Sequence, residues 1–321
     1  MSLLAVQDLR VRLETPGGLA TVVDGIDYNV EAGEIFGVAG ESGSGKTVSM
    51  LALLGLLPDR ASVAGSARFG GRELIGMPRR RLRAISGREL TMVFQDPFTS
   101  LHPMLSIGRQ LTEHVRRHLG LDRGAADKRA VELLREVRIP DPKSALHAFP
   151  HQFSGGMRQR IAIAIALACE PKLLIADEPT TALDVTVQAG ILRLLDRLRR
   201  EHELAVVLIT HDLGVLSSIA DRVAIFYAGR VVEAGAREDV LQRPRHPYTR
   251  ALLDALPHPE VADKPLAAIA GAPPTPGRFP AGCSFHPRCA YAQDSCRVEV
   301  PALVPVDSRR LACPVDPFAS E

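Results

Sequence analysis

The sequence predicts an α/β fold: a mostly parallel sheet with helices on its faces, an antiparallel β subdomain, an inserted α-helical subdomain and a C-terminal cysteine-rich extension. Three observations predict it. The apolar run Ile35-Phe36-Gly37-Val38 leads into Gly40-Glu41-Ser42-Gly43-Ser44-Gly45-Lys46-Thr47 and then into Val48 to Leu57, the strand, glycine-rich loop and helix of a P-loop. Strand and helix patterns alternate from Lys172 to Glu233, as parallel sheets require. Between Thr99 and Phe153 the apolar period becomes helical.

In chain order, Leu3 to Val11 and Thr21 to Val30 alternate apolar and polar side chains around Thr15-Pro16-Gly17-Gly18, so they read as antiparallel strands. Gly65 to Phe69 and Gly70-Gly71-Arg72 read as a further hairpin. Glu89 to Phe94 is a short strand, stopped after Gln95-Asp96 by Pro97. Ile107 to Leu119 and Ala126 to Ile139 carry apolar stripes and form a helical insert. Ser154 caps a helix with Met157, Ile161, Ala164, Ile165 and Ala168 on one face. Lys172 to Ala176 and Ala205 to Thr210 are strands; Val187 to Arg200 and Leu213 to Ala220 are helices; Arg222 to Tyr227 and Arg230 to Glu233 close the set. Arg237 to Leu256 reads as helical, and Leu256 to Gly282 is proline-dense and reads as an arm. The boundaries are 1–236 for the core, with the insert at about 99–157, and 237–321 for the extension.

Composition narrows the function. The 321 residues suffice for a sizeable core, and a formal net charge of +2 leaves no nucleic-acid footprint. The Arg79-Arg80-Arg81-Leu82-Arg83 run reads as a solvated helix face. No N-terminal stretch has the order of a signal peptide, and runs such as Ile161 to Cys169 are too short to span a bilayer. The expectation is a protein that is soluble or held at a membrane by partners.

The P-loop points its N–H groups into one concavity, where the N-terminus of the following helix adds partial positive charge. A triphosphate fits such a nest. Lys46 reaches the β- and γ-phosphates, and the Thr47 hydroxyl is placed to ligate Mg²⁺. Leu173-Leu174-Ile175-Ala176-Asp177-Glu178 delivers two carboxylates at the C-terminal end of a strand, the edge where parallel sheets bind ligands. Asp177 suits Mg²⁺ held through water. Glu178 suits a general base for an attacking water.

Ser154-Gly155-Gly156-Met157-Arg158-Gln159-Arg160 resembles the signature sequence of the ABC ATPases, with Met157 where many members carry glutamine. The order of P-loop, signature and Asp-Glu pair is that of the nucleotide-binding subunits of ABC transporters, and the resemblance spans Leu3 to Glu233. It extends to Gln95 as the Q-loop glutamine, also toward Mg²⁺, to Ala182-Leu183-Asp184 as the D-loop and to His211 as the switch histidine. It implies a P-loop NTPase core of the ABC ATPase type with a mixed sheet. It also implies two subunits sandwiching two ATP molecules head to tail, the Ser154-Gly155-Gly156 helix terminus of one facing the ATP of the other. The family usually stacks an aromatic on adenine; no Phe, Tyr or Trp precedes Tyr28, and Leu13 is the nearest apolar candidate.

Arg245-His246-Pro247-Tyr248-Thr249 and the arm after it resemble the extension on the ATPases of oligopeptide and dipeptide importers. That resemblance implies ATP hydrolysis powering peptide import, with a second homologous or identical ATPase, two transmembrane permease subunits and, indirectly, an extracytoplasmic substrate-binding protein. It places the chain peripherally on the cytoplasmic face of the inner membrane. Two alternatives stay open: another cargo, such as nickel or an oligosaccharide, and a soluble ABC ATPase acting on DNA or ribosomes. A single cassette and near-neutral charge speak against the second.

Cys283, Cys289, Cys296 and Cys313 are spaced C-x5-C-x6-C-x16-C, which fits neither paired C-x2-C zinc arms nor the ferredoxin run. Spacing alone gives a four-thiolate site, with His286 as a substitute ligand. The resemblance to peptide-importer ATPases implies a [4Fe-4S] cluster, with Zn²⁺ as the alternative. Cys169, on an apolar helix face, reads as buried and inert.

Overall fold

The structure, a computed structural model, describes residues 2–96, 100–181, 183–256 and 268–319. Pro97, Thr99, Ala182 and much of the proline-dense arm therefore lie outside the described residues. The chain divides into two compact units, one of 30–35 and 76–209, the other of 2–29, 36–75 and 210 onward. No helix among the described residues is long and apolar enough to cross a membrane.

Elements are numbered in chain order. The first half holds β1 (Leu4–Thr15), β2 (Gly18–Val30), β3 (Ile35–Ala39), α1 (Lys46–Leu54), β4 (Ser62–Phe69), β5 (Arg72–Glu73), α2 (Arg79–Ile85) and β6 (Leu90–Val93). Next come α3 (Ile107–Leu119), α4 (Arg123–Glu136), α5 (Pro142–Ala145), α6 (Gly155–Leu167), β7 (Leu173–Asp177), α7 (Val185–His202), β8 (Ala205–Ile209) and α8 (Leu213–Ile219). The rest holds β9 (Arg222–Tyr227), β10 (Arg230–Ala236), α9 (Arg237–Leu241), α10 (Pro247–Asp254), α11 (Ser295–Val298), β11 (Val304–Val306) and β12 (Arg309–Leu311).

In the unit containing 76–209, β6, β7 and β8 run parallel in that order, with Val93 opposite Ala176 and Asp177 opposite Ile209. Leu173 to Ala176 and Ala205 to Ile209 are buried throughout, as parallel strands covered on both faces must be. Helices α6 and α7 pack on this sheet, and α3 and α4 pack on each other and on α6. Two expectations are corrected here. Helix α4 starts three residues earlier than the apolar stripe, because the Asp122 side chain accepts from the Ala125 N–H at 2.8 Å and caps it there; it stops before Arg138, whose φ is 59°. Helix α6 is not one-faced. Ile161, Ala162, Ile163, Ala164, Ala166 and Leu167 are all buried, so it runs through core instead of lying on its surface.

In the other unit, β2-β1-β4-β5 form an antiparallel sheet whose inward side chains include Leu4, Val6, Ala67 and Phe69. A second sheet runs β11-β12-β10-β9-β3, antiparallel as far as β9 and parallel between β9 and β3, hence mixed. The helix expected over Arg237 to Leu256 is two helices, α9 and α10. Pro244 and Pro247 break the pattern, and His246 Nδ1 accepts from the Tyr248 N–H at 3.0 Å to cap α10. Strands β11 and β12, which no sequence signal announced, pair the extension onto β10, Glu233 opposite Leu311 and Gly235 opposite Arg309.

The extension is anchored by a buried ion pair. Arg309 Nη1 donates to Glu233 Oε1 at 2.9 Å, and the Glu233 side chain is 0% exposed. The same carboxylate accepts the backbone N–H groups of Arg245 at 3.0 Å and His246 at 3.1 Å. Arg245 reaches Asp316 through Nε at 2.9 Å and pairs with Asp307 as well. Full hydrogen bonding is what makes a buried carboxylate tolerable.

Candidate functional site

Strand β3 is buried along its whole length and ends in Gly40, whose φ is 145° and where a Cβ would lie 2.1 Å from the Phe226 carbonyl oxygen. Only glycine fits that turn. Helix α1 follows with no side-chain cap, whereas Ser154, Asp184 and Asp212 cap α6, α7 and α8. A helix start without a side-chain cap, directly after a glycine-rich loop, is the arrangement that receives a phosphate. Lys46 is 7% exposed, and its ammonium donates to Gly40 O at 2.7 Å and Glu41 O at 2.9 Å, so the positive charge lies across the loop. Ser42 and Gly43 are exposed at the tip, Ser44 and Gly45 are buried, and Thr47 sits half-buried in the first turn of α1. The Thr210 N–H donates to Val38 O at 3.1 Å, so the exposed His211 leaves the chain beside the end of β3 that enters the loop.

The loop also touches the extension. The Glu41 N–H donates to Tyr248 Oη at 2.9 Å, and the Glu41 carboxylate takes hydrogen bonds from Arg288 Nη1 at 2.7 Å and Nη2 at 3.0 Å. That pairing raises the Arg288 pKa above its ordinary range, and burial raises that of Tyr248. Sequence reasoning missed both partners.

In the unit containing 76–209, Asp177 ends β7 and is buried. Glu178 follows with φ of 47°, a strained conformation for a residue with a side chain, held by its N–H donating to Ile209 O at 2.8 Å. Gln95 Nε2 and Thr181 Oγ1 each donate to Glu178 Oε2 at 2.8 Å. The register explains the first contact: Gln95 and Glu178 each lie two residues beyond the paired Val93 and Ala176. Thr181 was also missed; a hydroxyl three residues after the acidic pair is its only signal.

Ser154 Oγ accepts from the Met157 N–H at 3.3 Å, the cap expected from sequence. A Cβ on Gly156 would lie 2.5 Å from Val187 Cγ1, so glycine there lets the start of α7 approach α6. Asp184 Oδ1 accepts from the Val187 N–H at 2.9 Å. Signature glycines and D-loop residues Leu183 and Asp184 therefore come together. Tyr28 is buried and stacked on Phe36 with ring centres 5.5 Å apart. Leu13 is half-buried in β1.

Cys283, Cys289, Cys296 and Cys313 line one cavity, with His246 and His286 on its wall. Burial pushes the Cys283, Cys289 and Cys313 thiols up, and neighbouring thiols add to the shift. No three sulfurs of the quartet lie within 4.8 Å of one another. Four thiols on one cavity wall are a soft donor set of the kind that holds zinc or an iron–sulfur centre. His286 Nδ1 lies 2.9 Å from Cys283 O, which turns that nitrogen to the backbone. Cys169 is buried, and burial pushes its thiol up to about 11, as an inert core cysteine should be.

Comparison with known proteins follows the same division of the chain. The ABC transporter family pattern matches residues 23–181, and the C-terminal region of oligopeptide/dipeptide transporters matches residues 232–296. The oligopeptide transport ATP-binding protein OppD of Haemophilus influenzae is 47% identical over 296 residues, 92% of each chain. The dipeptide transport ATP-binding protein DppD of Escherichia coli is 46% identical over 318 residues, 98% of this chain and 96% of that one. A dimeric ATP-binding cassette solved in a post-hydrolysis state with ADP and Pi superposes with a TM-score of 0.65 at 25% identity, covering 73% of this chain and 98% of that one. With identity near half over almost the whole length of such relatives, the chain belongs to the ABC transporter family, among the ATP-binding proteins of oligopeptide and dipeptide transporters.

Proposed function

We propose that this chain is the ATP-binding and ATP-hydrolysing subunit that powers a membrane importer of dipeptides or oligopeptides. The observation that carries the catalytic part is the Glu178 carboxylate, fixed at a strand end by Gln95 and Thr181 at 2.8 Å each. Glu178 is the general base, accepting a proton from the water that attacks the γ-phosphorus, with ADP as the leaving group. Gly40 to Thr47 cradle the triphosphate, and Lys46 draws charge off the β- and γ-phosphates. His211 holds the water and γ-phosphate in place, and Asp184 belongs to the seam between subunits. Thr47, Gln95 and Asp177 would hold Mg²⁺, which neutralises charge on the phosphate oxygens.

The partners are a second homologous or identical ATPase and two transmembrane permease subunits, with a substrate-binding protein beyond them. The dimeric state of the ADP-bound cassette above supports the pairing, each Ser154-Gly155-Gly156 terminus facing the nucleotide of the other subunit. That assembly sets the chain peripherally on the cytoplasmic face of the inner membrane. In the extension, the four cysteines would hold a [4Fe-4S] cluster, with Zn²⁺ as the alternative. The cluster would supply covalent cross-links between loops distant in sequence.

The test is isolation of the tagged chain from its own membranes in detergent, followed by ATPase assay of the complex in proteoliposomes. Permease subunits should copurify, and ATP turnover should rise with a dipeptide or oligopeptide delivered by the binding protein. Recovery with ribosomes or DNA, or stimulation by nickel or an oligosaccharide but not peptides, would sink the peptide-import reading.

A further inference from the structure

Glu41 is held at three points. Its N–H goes to Tyr248 Oη, its carbonyl accepts Lys46 Nζ at 2.9 Å, and its carboxylate is forked by Arg288 at 2.7 and 3.0 Å. Two of the three holders come from the extension. Tyr248 is the second residue of α10, and Arg288 ends the short 3-10 turn His286–Arg288, immediately before Cys289. Arg288 is itself immobilised: Nε donates to Ala270 O at 2.9 Å, Nη1 reaches Tyr227 Oη at 3.3 Å, and the guanidinium lies 5.8 Å from the Tyr227 ring centre and 5.9 Å from that of Phe285. Its side chain is 5% exposed, against 24% for Glu41.

A carboxylate on a loop that receives a triphosphate has the wrong sign of charge. Its repulsion grows with the charge of the ligand, and at a partly buried position it is screened less than on an open surface. A bidentate guanidinium cancels that charge and fixes the direction of the carboxylate at once. Tyr248 meanwhile takes up a backbone N–H at the edge of the loop, so that residue 41 cannot rotate its amide freely.

We propose that Arg288 and Tyr248 are positioning residues of the nucleotide site: through Glu41 the C-terminal extension neutralises and braces the phosphate loop, and so sets how tightly the chain holds ATP. The inference rests on the nucleotide reading above. The extension is thereby part of the ATP site and not merely an appendage to it.

The experiment measures dissociation constants of ATP and ADP, with Mg²⁺, for the full-length chain by titration calorimetry. Arg288→Ala should weaken ATP about tenfold and ADP by less, because the exposed Glu41 charge acts most on the more highly charged ligand. Adding Glu41→Gln to that chain should restore ATP binding to within about threefold, since the unneutralised charge is then gone. Tyr248→Phe, which removes only the acceptor, should weaken ATP and ADP alike. Where Arg288→Ala does not fold, Arg288→Gln, which keeps a polar side chain without the charge, gives the same reading. An Arg288 whose only task is to hold the extension together would lower the melting temperature with ATP affinity unchanged and no rescue by Glu41→Gln, which overturns the proposal. An unsubstituted chain that binds no ATP overturns the nucleotide reading together with this one, whereas normal ATP binding by Arg288→Ala overturns this one alone.

Discussion

The Gln95 amide donates to Glu178 Oε2 at 2.8 Å, joining the ends of two adjacent parallel strands. Replacing the carboxylate by an amide keeps shape and removes basicity. Glu178→Gln should therefore lower phosphate release by about 10²–10⁴-fold while the chain still binds ATP. Gln95→Ala should give a smaller loss, because Thr181 still holds Oε2. Phosphate release by the purified transporter, read beside nucleotide binding, checks both; normal turnover in Glu178→Gln would remove Glu178 as the base.

The cysteine cavity makes a prediction that needs no activity assay. Protein purified without oxygen should be brown and contain about four irons per chain, with the colour lost when any of Cys283, Cys289, Cys296 or Cys313 becomes serine. Colourless protein holding one zinc per chain would overturn the iron reading.

Arg309, buried against Glu233, is expected to matter for folding. Arg309→Met leaves the Glu233 carboxylate buried with only the Arg245 and His246 N–H groups, so unfolding free energy should fall by about 3 kcal/mol. Changing Glu233 to Gln in the same chain should recover part of it, since no lone buried charge remains. Urea denaturation followed by circular dichroism gives both values, and a loss well under 1 kcal/mol in Arg309→Met would show that the pair contributes nothing.

Acid should loosen the helical insert. The His114 ring donates from Nε2 to Gly87 O at 2.8 Å and lies 4.7 Å from the His118 ring centre. Burial first, then the positive charge of Arg117, lowers the His114 pKa from 6.5; burial, His114, Arg117 and Arg88 lower that of His118. Below about pH 6.5 the unfolded chain thus binds protons that the folded chain refuses, so this contribution to stability is complete above that pH and declines as pH falls. Melting temperatures between about pH 5 and 7.5 should fall on the acid side, and His114→Gln, which keeps a donor for Gly87 O but cannot titrate, should flatten that slope. An unchanged slope would assign the acid sensitivity elsewhere.

The backbone setting of the candidate site was legible because its motifs are written in contiguous residues. Gly40 to Thr47, Ser154 to Gly156 and the Asp177-Glu178 pair each fix a local backbone shape by their own sequence, and the structure puts each on the strand end or helix start expected. The Gln95 to Glu178 contact was implied once both were placed at neighbouring strand ends. Faces were harder to read. The apolar pattern of α6 suggested one buried side, but Ile163 and Leu167 are buried as well, since a helix running through core has no solvent face to mark. The proline-broken stretch from Arg237 to Leu256 kept helical composition on both sides of the break, which hid the break itself.

The sequence by itself determined the P-loop, the signature helix with its Ser154 cap, the acidic strand end and the grouping of four cysteines, because each depends on neighbours a few residues apart. Only the tertiary structure decided that Arg288 meets Glu41, 247 positions away, that Arg309 neutralises Glu233, and that β11 and β12 extend the sheet through β10. The physical reason is range. Backbone shape is set by local sterics and hydrogen bonds, whereas the partner of a charged side chain is whichever opposite charge the packed chain brings within about 3 Å, and no local pattern records that.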